Sequence, residues 1–254
     1  KYGNNDGRVV SGIHNIVHVV FQAYEPHGEK YIYVSEWLAR RMRILNLKSI
    51  GKLSSSWIDS LYKSSFDFLP HIVDLPHVDE LMLDQWKIPE GALIGGRHGG
   101  FDTFDIAWVH KVISELLDTH KNLYFVFANT RKFIVHPRVR YIPTITSRKQ
   151  ISSYLLSLDF YLHARSNGES FGLSLLEAMK CKIPVFSFSG GVDVNHRYLL
   201  RESSSSLFKS AKQLVRLIEN LKDYQDIENN FKVSERFSQE EISFKWQQLL
   251  RQIN

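Results

Sequence analysis

Arg165-Ser-Asn-Gly-Glu-Ser-Phe-Gly-Leu-Ser-Leu-Leu-Glu-Ala-Met179 is the stretch whose reading decides the fold. A strand, Asp159-Phe-Tyr-Leu-His163, runs into it, a polar loop follows, and a helix is expected from Phe171 to Lys180. The first amides of a helix have no partner within it, and its dipole makes that end positive. The amides of Phe171, Gly172 and Leu173 therefore suit phosphate, and Gly172 permits close backbone approach. Glu169 stands just before this end, and Glu177 lies two turns inside the helix. A carboxylate directly beside phosphate would be repelled. Glu169 is therefore expected to accept from a sugar hydroxyl placed between the two, and Glu177 to reach back toward a ribose. A capped helix with an acidic start would explain the two glutamates alone, but not the whole pattern.

On either side of this stretch, apolar strands alternate with helices. Ala92–Gly96, Leu123–Ala128, Val139–Ile142 and Pro184–Phe188 read as strands. Asp105–His120 reads as a helix with Ile106, Val109, Val112, Ile113, Leu116 and Leu117 on one face, Arg148–Ser157 as a helix capped by Ser147, and the tail from Ala211 as largely helical. Such alternation means an α/β fold, a Rossmann-like parallel sheet covered on both faces. Ligands bind such sheets where loops leave the carboxyl ends of the strands, here loops 95–104, 143–147, 164–170 and 189–195.

Three of these loops carry further candidates. In Gly95-Gly-Arg-His-Gly-Gly-Phe-Asp-Thr-Phe104, Gly96, His98 and Gly99 flank Arg97. The glycines give a flexible loop whose amides can turn toward an anion, and Arg97 can fork onto phosphate oxygens. The other reading is a sharp turn with Arg97 on a local carboxylate such as Asp102. Ile142-Pro-Thr-Ile-Thr-Ser147 places Thr144 at a strand exit, as a ligand contact or as part of a capped turn. Gly190-Gly-Val-Asp-Val-Asn195 either lines the ligand pocket or leads into a helix.

The Glu-x7-Glu spacing, the Gly-Glu-Ser-Phe-Gly-Leu segment and Lys182-Ile-Pro-Val-Phe-Ser-Phe-Ser-Gly-Gly191 together resemble the family 4 retaining glycosyltransferases of the GT-B fold. The string Arg97-His-Gly-Gly-Phe-Asp-Thr-Phe104 is similar to a subgroup found in virus-encoded and bacterial transferases. The resemblance spans roughly Leu69 to Leu200. It implies a nucleotide-sugar donor and a glycan or glycoprotein acceptor. Glu169 would contact the donor sugar, Glu177 the ribose, and the amides of Phe171 to Leu173 the diphosphate. Arg97 matches the family's phosphate arginine, whereas Asp102 and Thr103 stand where a second cation, a lysine, is expected. His98, Lys132 or the glycine amides would have to compensate. The segment Ile142–Ser147, with Thr144, would present backbone groups to the base. Relatives also place a histidine of the first domain near the sugar. His27, in the turn-rich loop Glu25-Pro-His-Gly28, is the candidate taken, with His18 in an apolar strand as the alternative.

The 254 residues, 43% hydrophobic and 23% charged, suffice for one large domain or two small ones. The expected organisation is a partial acceptor-side domain over residues 1–70, a complete nucleotide-sugar domain over 71–236, and a C-terminal helix, 237–254, crossing back to the first domain. The double-proline run Phe68–Pro76 is the crossing point. The polar Lys1–Gly7 start reads as the middle of a longer protein, with the first domain truncated. Apolar surface stripped by such truncation would invite a homodimer. The net charge of +5 is scattered, with no basic run interleaved with aromatics, so nucleic acid is not the expected partner. The single cysteine, Cys181, allows no internal disulfide and suits a cytoplasmic setting (a host's, if virus-encoded). No apolar run approaches the roughly 18 residues of a membrane span. The absence of an Asp-x-Asp cluster argues for chemistry without a metal or other cofactor. Two other readings stay open: a nucleotide-sugar-binding or partner-dependent module without turnover, and an epimerase of the same fold, which would need further acids in the cleft.

Overall fold

A computed structural model describes residues 7–22, 25, 27, 28, 30–49, 67–203 and 205–252. Pro26 and most of the Lys1–Gly7 stretch lie outside them. The chain divides into two compact units, one up to Ile72 together with the residues from Gln239, the other Val73–Ser238. In the first unit, β1 (Ile16–Val19) and β2 (Lys30–Tyr33) pair in parallel. Helix α1 (Glu36–Ser49) follows, and its first turn is closed by the Ser35 hydroxyl accepting from the Leu38 amide at 3.1 Å. The last helix of the chain, Gln239–Arg251, belongs to this unit and sets the Lys245 ammonium 3.5 Å from the Phe68 ring centre.

The second unit begins with the short helix α2 (Leu83–Trp86) and is built on a six-stranded sheet whose pairs are all parallel. In chain order its strands are β3 (Leu93–Arg97), β4 (Leu123–Ala128), β5 (Val139–Ile142), β6 (Phe160–His163), β8 (Val185–Phe188) and β10 (Leu207–Phe208). Across the sheet they run β5-β4-β3-β6-β8-β10, the doubly wound order. Helices α3 (Ala107–Thr119), α4 (Arg148–Leu156), α5 (Leu173–Lys180), α6 (Asn195–Leu199), α7 (Ala211–Glu219) and α8 (Ile227–Glu235) complete the unit, and α9 (Gln239–Arg251) leaves it. A strand buried on both faces reads as a continuous apolar run, and from Leu123 to Ala128 only Tyr124 is not fully buried. One face of α3, Val109, Val112, Ile113, Leu116 and Leu117, packs into a core with Phe125, Phe127, Phe160, Leu162, Phe186 and Phe208.

Beside the main sheet, β7 (Gly168–Glu169) pairs in parallel with β9 (Asp193–Val194), opposing Glu169 to Val194. The direction of winding reverses between β3 and β6. A crevice opens at such a reversal, outside the carboxyl ends of the two strands. Those ends are Arg97 and His163.

Candidate functional site

Strand β3 carries two glycines because large rings cover both its faces. A Cβ on Gly95 would stand 2.3 Å from the Phe160 ring, and one on Gly96 2.8 Å from the Tyr154 hydroxyl and 2.7 Å from the Val126 carbonyl. Gly96 is therefore a buried strand residue, within the run read as a strand from the sequence. The loop begins at His98. Tyr154 and Tyr161 fix its start: their hydroxyls donate to the carbonyls of Arg97 (2.8 Å) and His98 (2.7 Å).

Arg97 is enclosed by the loop it opens. Its side chain is buried, with 4% of the residue exposed. One terminal nitrogen donates to the Thr130 hydroxyl (3.1 Å) and the Gly100 carbonyl (3.3 Å), the other to the Thr103 hydroxyl (2.9 Å). It does not pair with Asp102, whose carboxylate goes to Arg131 at 2.7 Å. As the last residue of a pleated strand, Arg97 is turned under the loop it was expected to crown. Thr103, read as a vacancy where a lysine was due, is thus one of its anchors. Gly99 is held from outside by the Asn129 amide, which donates to its carbonyl at 2.7 Å. Lys132 lies 6.0 Å from the Tyr141 ring.

His98 and Glu177, assigned to one ligand from distant parts of the sequence, meet directly at 2.6 Å between Nε2 and Oε2. An ionised carboxylate only accepts, so Nε2 carries the hydrogen. The other ring nitrogen of His98 is buried without a hydrogen-bond partner, and its ring sits edge-on to Tyr154 and Tyr161.

Helix α5 starts two residues later than expected. Gly172, at φ 91°, is its left-handed cap, and the first helical residue is Leu173. The orphan amides of the first turn are thus those from Leu173 onward. Phe171 is buried edge-on against Phe237, and its carbonyl accepts from the Asn195 side chain at 2.7 Å. Leu173 itself is 42% exposed. Thr144 lies exposed beyond edge strand β5, and Ser147 makes no side-chain cap to α4.

Glu169 is held from two sides. His163 Nε2 is 3.2 Å from Oε1, and Arg165 donates to Oε2 at 3.1 Å. Burial pushes the Glu169 carboxyl up, but the His163 hydrogen bond and the charges of His163 and Arg165 outweigh it and hold it below the usual carboxylate range. Behind this pair, the Ser187 hydroxyl meets His163 Nδ1 at 2.8 Å, and the ring of His196 lies 5.6 Å away. Burial brings His196 down to about 3, with His163 adding to the shift. The loop 189–195, read either as pocket lining or as a lead into a helix, is tied to Glu169 through the β7–β9 pair. None of His163, Arg165, Tyr154, Tyr161 and His196 was singled out from the sequence. The signal available was a histidine closing an otherwise apolar strand.

His27 belongs to the first unit. Its Nδ1 is 2.8 Å from the Glu25 carbonyl and 2.9 Å from the Tyr31 hydroxyl. His18, in β1 of the same unit, meets the Leu69 carbonyl through Nε2 at 2.7 Å, and burial, its largest influence, lowers its pKa. Cys181, at the end of α5, has its thiol pushed up to about 12 by burial and by Glu177, so it is inert as a thiolate. Among the described residues no three metal-ligating side chains cluster, and no helix is long and apolar enough to cross a membrane.

The parallel, doubly wound sheet is an α/β fold that the chain shares with solved GT-B glycosyltransferase structures. Residues 120–236 match the family described as glycosyl transferases group 1. Among solved structures the chain is similar to the GtfA/B complex (TM-score 0.59, 14% identity, 88% of this chain and 45% of that one). It is also similar to sucrose-phosphate synthase from Thermosynechococcus elongatus (0.60, 14%, 94% and 73%) and to Anabaena HepE in complex with UDP and glucose (0.60, 13%, 94% and 70%). The chain thus spans less than half of the first and under three quarters of the other two. Among curated proteins there is no match.

Proposed function

We propose that this chain binds a nucleotide-diphosphate sugar, of the GDP or UDP type, at the reversal point between β3 and β6. In this reading it acts as a retaining, metal-independent hexosyltransferase toward a glycan or glycoprotein acceptor. The observation that carries the reading is the pair of carboxylates flanking the open end of α5: Glu169, kept ionised between His163 and Arg165, and Glu177, paired with His98. Between them the amides from Leu173 onward face outward at the positive end of a helix, a receptor for diphosphate. Glu169 then accepts from sugar hydroxyls and orients the ring, and Glu177 and His98 take the ribose. Thr144 and its loop are the part of the chain that this reading assigns to the base.

Transfer with retention passes through a sugar with oxocarbenium character while charge grows on the leaving diphosphate. The α5 amides stabilise that charge directly. Arg97, held by the loop it opens, adds positive charge beside that diphosphate. His27 is the first-unit residue proposed to act near the sugar.

The test is calorimetric titration of the full chain with UDP, GDP, UDP-glucose and GDP-mannose, followed by product analysis. Binding of one nucleotide series in the micromolar range, weakened about 10-fold by Glu177→Gln, is the expected result. Glu169→Gln should chiefly lower transfer. A folded chain that binds none of the four ends this reading, and binding without turnover in the presence of glycan acceptors reduces it to a binding module.

A further inference from the structure

The Glu169 carboxylate is held by a histidine that is itself held from behind. Strand β6 ends on His163, 5% exposed, with both ring nitrogens engaged: Nε2 on Glu169 and Nδ1 on the Ser187 hydroxyl of neighbouring strand β8. Since a carboxylate can only accept, Nε2 must carry a hydrogen. Ser187 can donate to Nδ1 or accept from it, so the contact survives in either protonation state of the ring. Arg165 grips the other carboxylate oxygen from the loop that follows β6. The other groups around the pair do not compete for this place. His196, from α6, is neutral through burial. Asp193, opposite Gly168 on β9, is bound by Asn167 at 3.1 Å. Tyr161 donates to the His98 carbonyl.

We propose that His163 is the positioning residue of the site: through Nε2 it fixes the orientation of the Glu169 carboxylate and, with Arg165, its ionised state, so that both carboxylate oxygens are aligned before a sugar arrives. This rests on the reading of Glu169 as the sugar acceptor. The geometry makes His163 a lever on the sugar part of a ligand and not on the nucleotide part, because its hydrogen bonds go to Glu169 and Ser187, its ring neighbour is His196, and the His98–Glu177 pair is a separate contact.

Two variants test it. His163→Leu removes the donor, and His163→Gln keeps a donor at the same reach without an ionisable ring. Carbon-13 NMR of the glutamate carboxyls in the full chain without ligand, with Glu169→Gln assigning the signal, should show the Glu169 titration moving up by on the order of one unit in His163→Leu and by less in His163→Gln. Calorimetry with UDP and UDP-glucose (or GDP and GDP-mannose, whichever series the wild type binds) should show nucleotide affinity unchanged within about two-fold. The extra affinity given by the sugar should fall about 10-fold in His163→Leu and largely return in His163→Gln. The acid limb of nucleotide-sugar binding should move to higher pH in His163→Leu. An unchanged Glu169 titration in a folded variant overturns the inference, as does equal loss of UDP and UDP-glucose binding, which would mark His163 as merely structural. Failure of the wild type to bind any nucleotide is a different result and strikes the functional reading itself, while the ligand-free titration still decides the role of His163. If His163→Leu does not fold, the comparison of wild type with His163→Gln decides it.

Discussion

At Gly168 a side chain has nowhere to go. The residue sits at φ 73°, and a Cβ would fall 1.9 Å from the Asp193 carbonyl oxygen. Gly168→Ala must push apart the β7–β9 pair that presents Glu169. It should lower the melting temperature by on the order of 5–10 °C in a thermal scan, and an unchanged melting point would show that the pair is not held closed. His196 makes a prediction of another kind. Its pKa falls from the ordinary 6.5 to about 3 in the folded chain, first through burial. Between those values the unfolded chain takes up a proton that the folded chain refuses. Its contribution is therefore intact above pH 6.5 and is lost as pH drops toward 3. His196→Leu should flatten the dependence of unfolding free energy on pH near pH 5 by about one proton. An identical slope would place the ring in solvent. At this scale the sequence disclosed residue types better than directions. Glu169 and Glu177 were legible because carboxylates flanking a helix start carry their own chemistry. The contacts of Arg97 were not legible, because they depend on which way the last residue of a strand turns. Gly96 could be read as strand or as loop, because glycine serves equally to bend a loop and to admit a ring such as that of Tyr154.

Among the elements, the braces between loops matter more than the helices. Asp105, just before α3, accepts from the Ser166 amide at 2.7 Å and from the Ser166 hydroxyl, tying loop 164–170 to the start of that helix. Asp105→Ala should speed hydrogen exchange at the Ser166 amide about 10-fold while leaving the amides of β4 protected, and equal rates at Ser166 would mean the loop is held by other contacts. The central strands were readable from sequence because burial on both faces demands uninterrupted apolar residues, as in Leu123–Ala128. The two-residue strands β7, β9 and β10 were not. Two residues are too few to display a period, and Gly168-Glu169 and Asp193-Val194 look like loop. Helix α5 was found but set too early, at Phe171, since the turn that starts it is made by the left-handed Gly172.

For the molecule as a whole, the alternation of strands and helices announced a parallel sheet, but not its strand order. That order depends on which edge the chain chooses after β5, and no local pattern records the choice. The core around Phe125, Phe127, Phe160 and Phe186 lies wholly within Val73–Ser238. That segment expressed alone should therefore unfold in a single cooperative calorimetric transition, and a chain without such a transition would mean that this core is insufficient. The net charge of +5 is mostly surface charge, which salt screens. Arg97 is different. Among the described residues no carboxylate pairs with it, and its partners are the neutral oxygens of Gly100, Thr103 and Thr130. The pull that this buried side chain exerts on an approaching anion is therefore not cancelled by a counter-charge at its own contacts. Ionic strength weakens it at the approach, where water screens, and least at contact, where it does not.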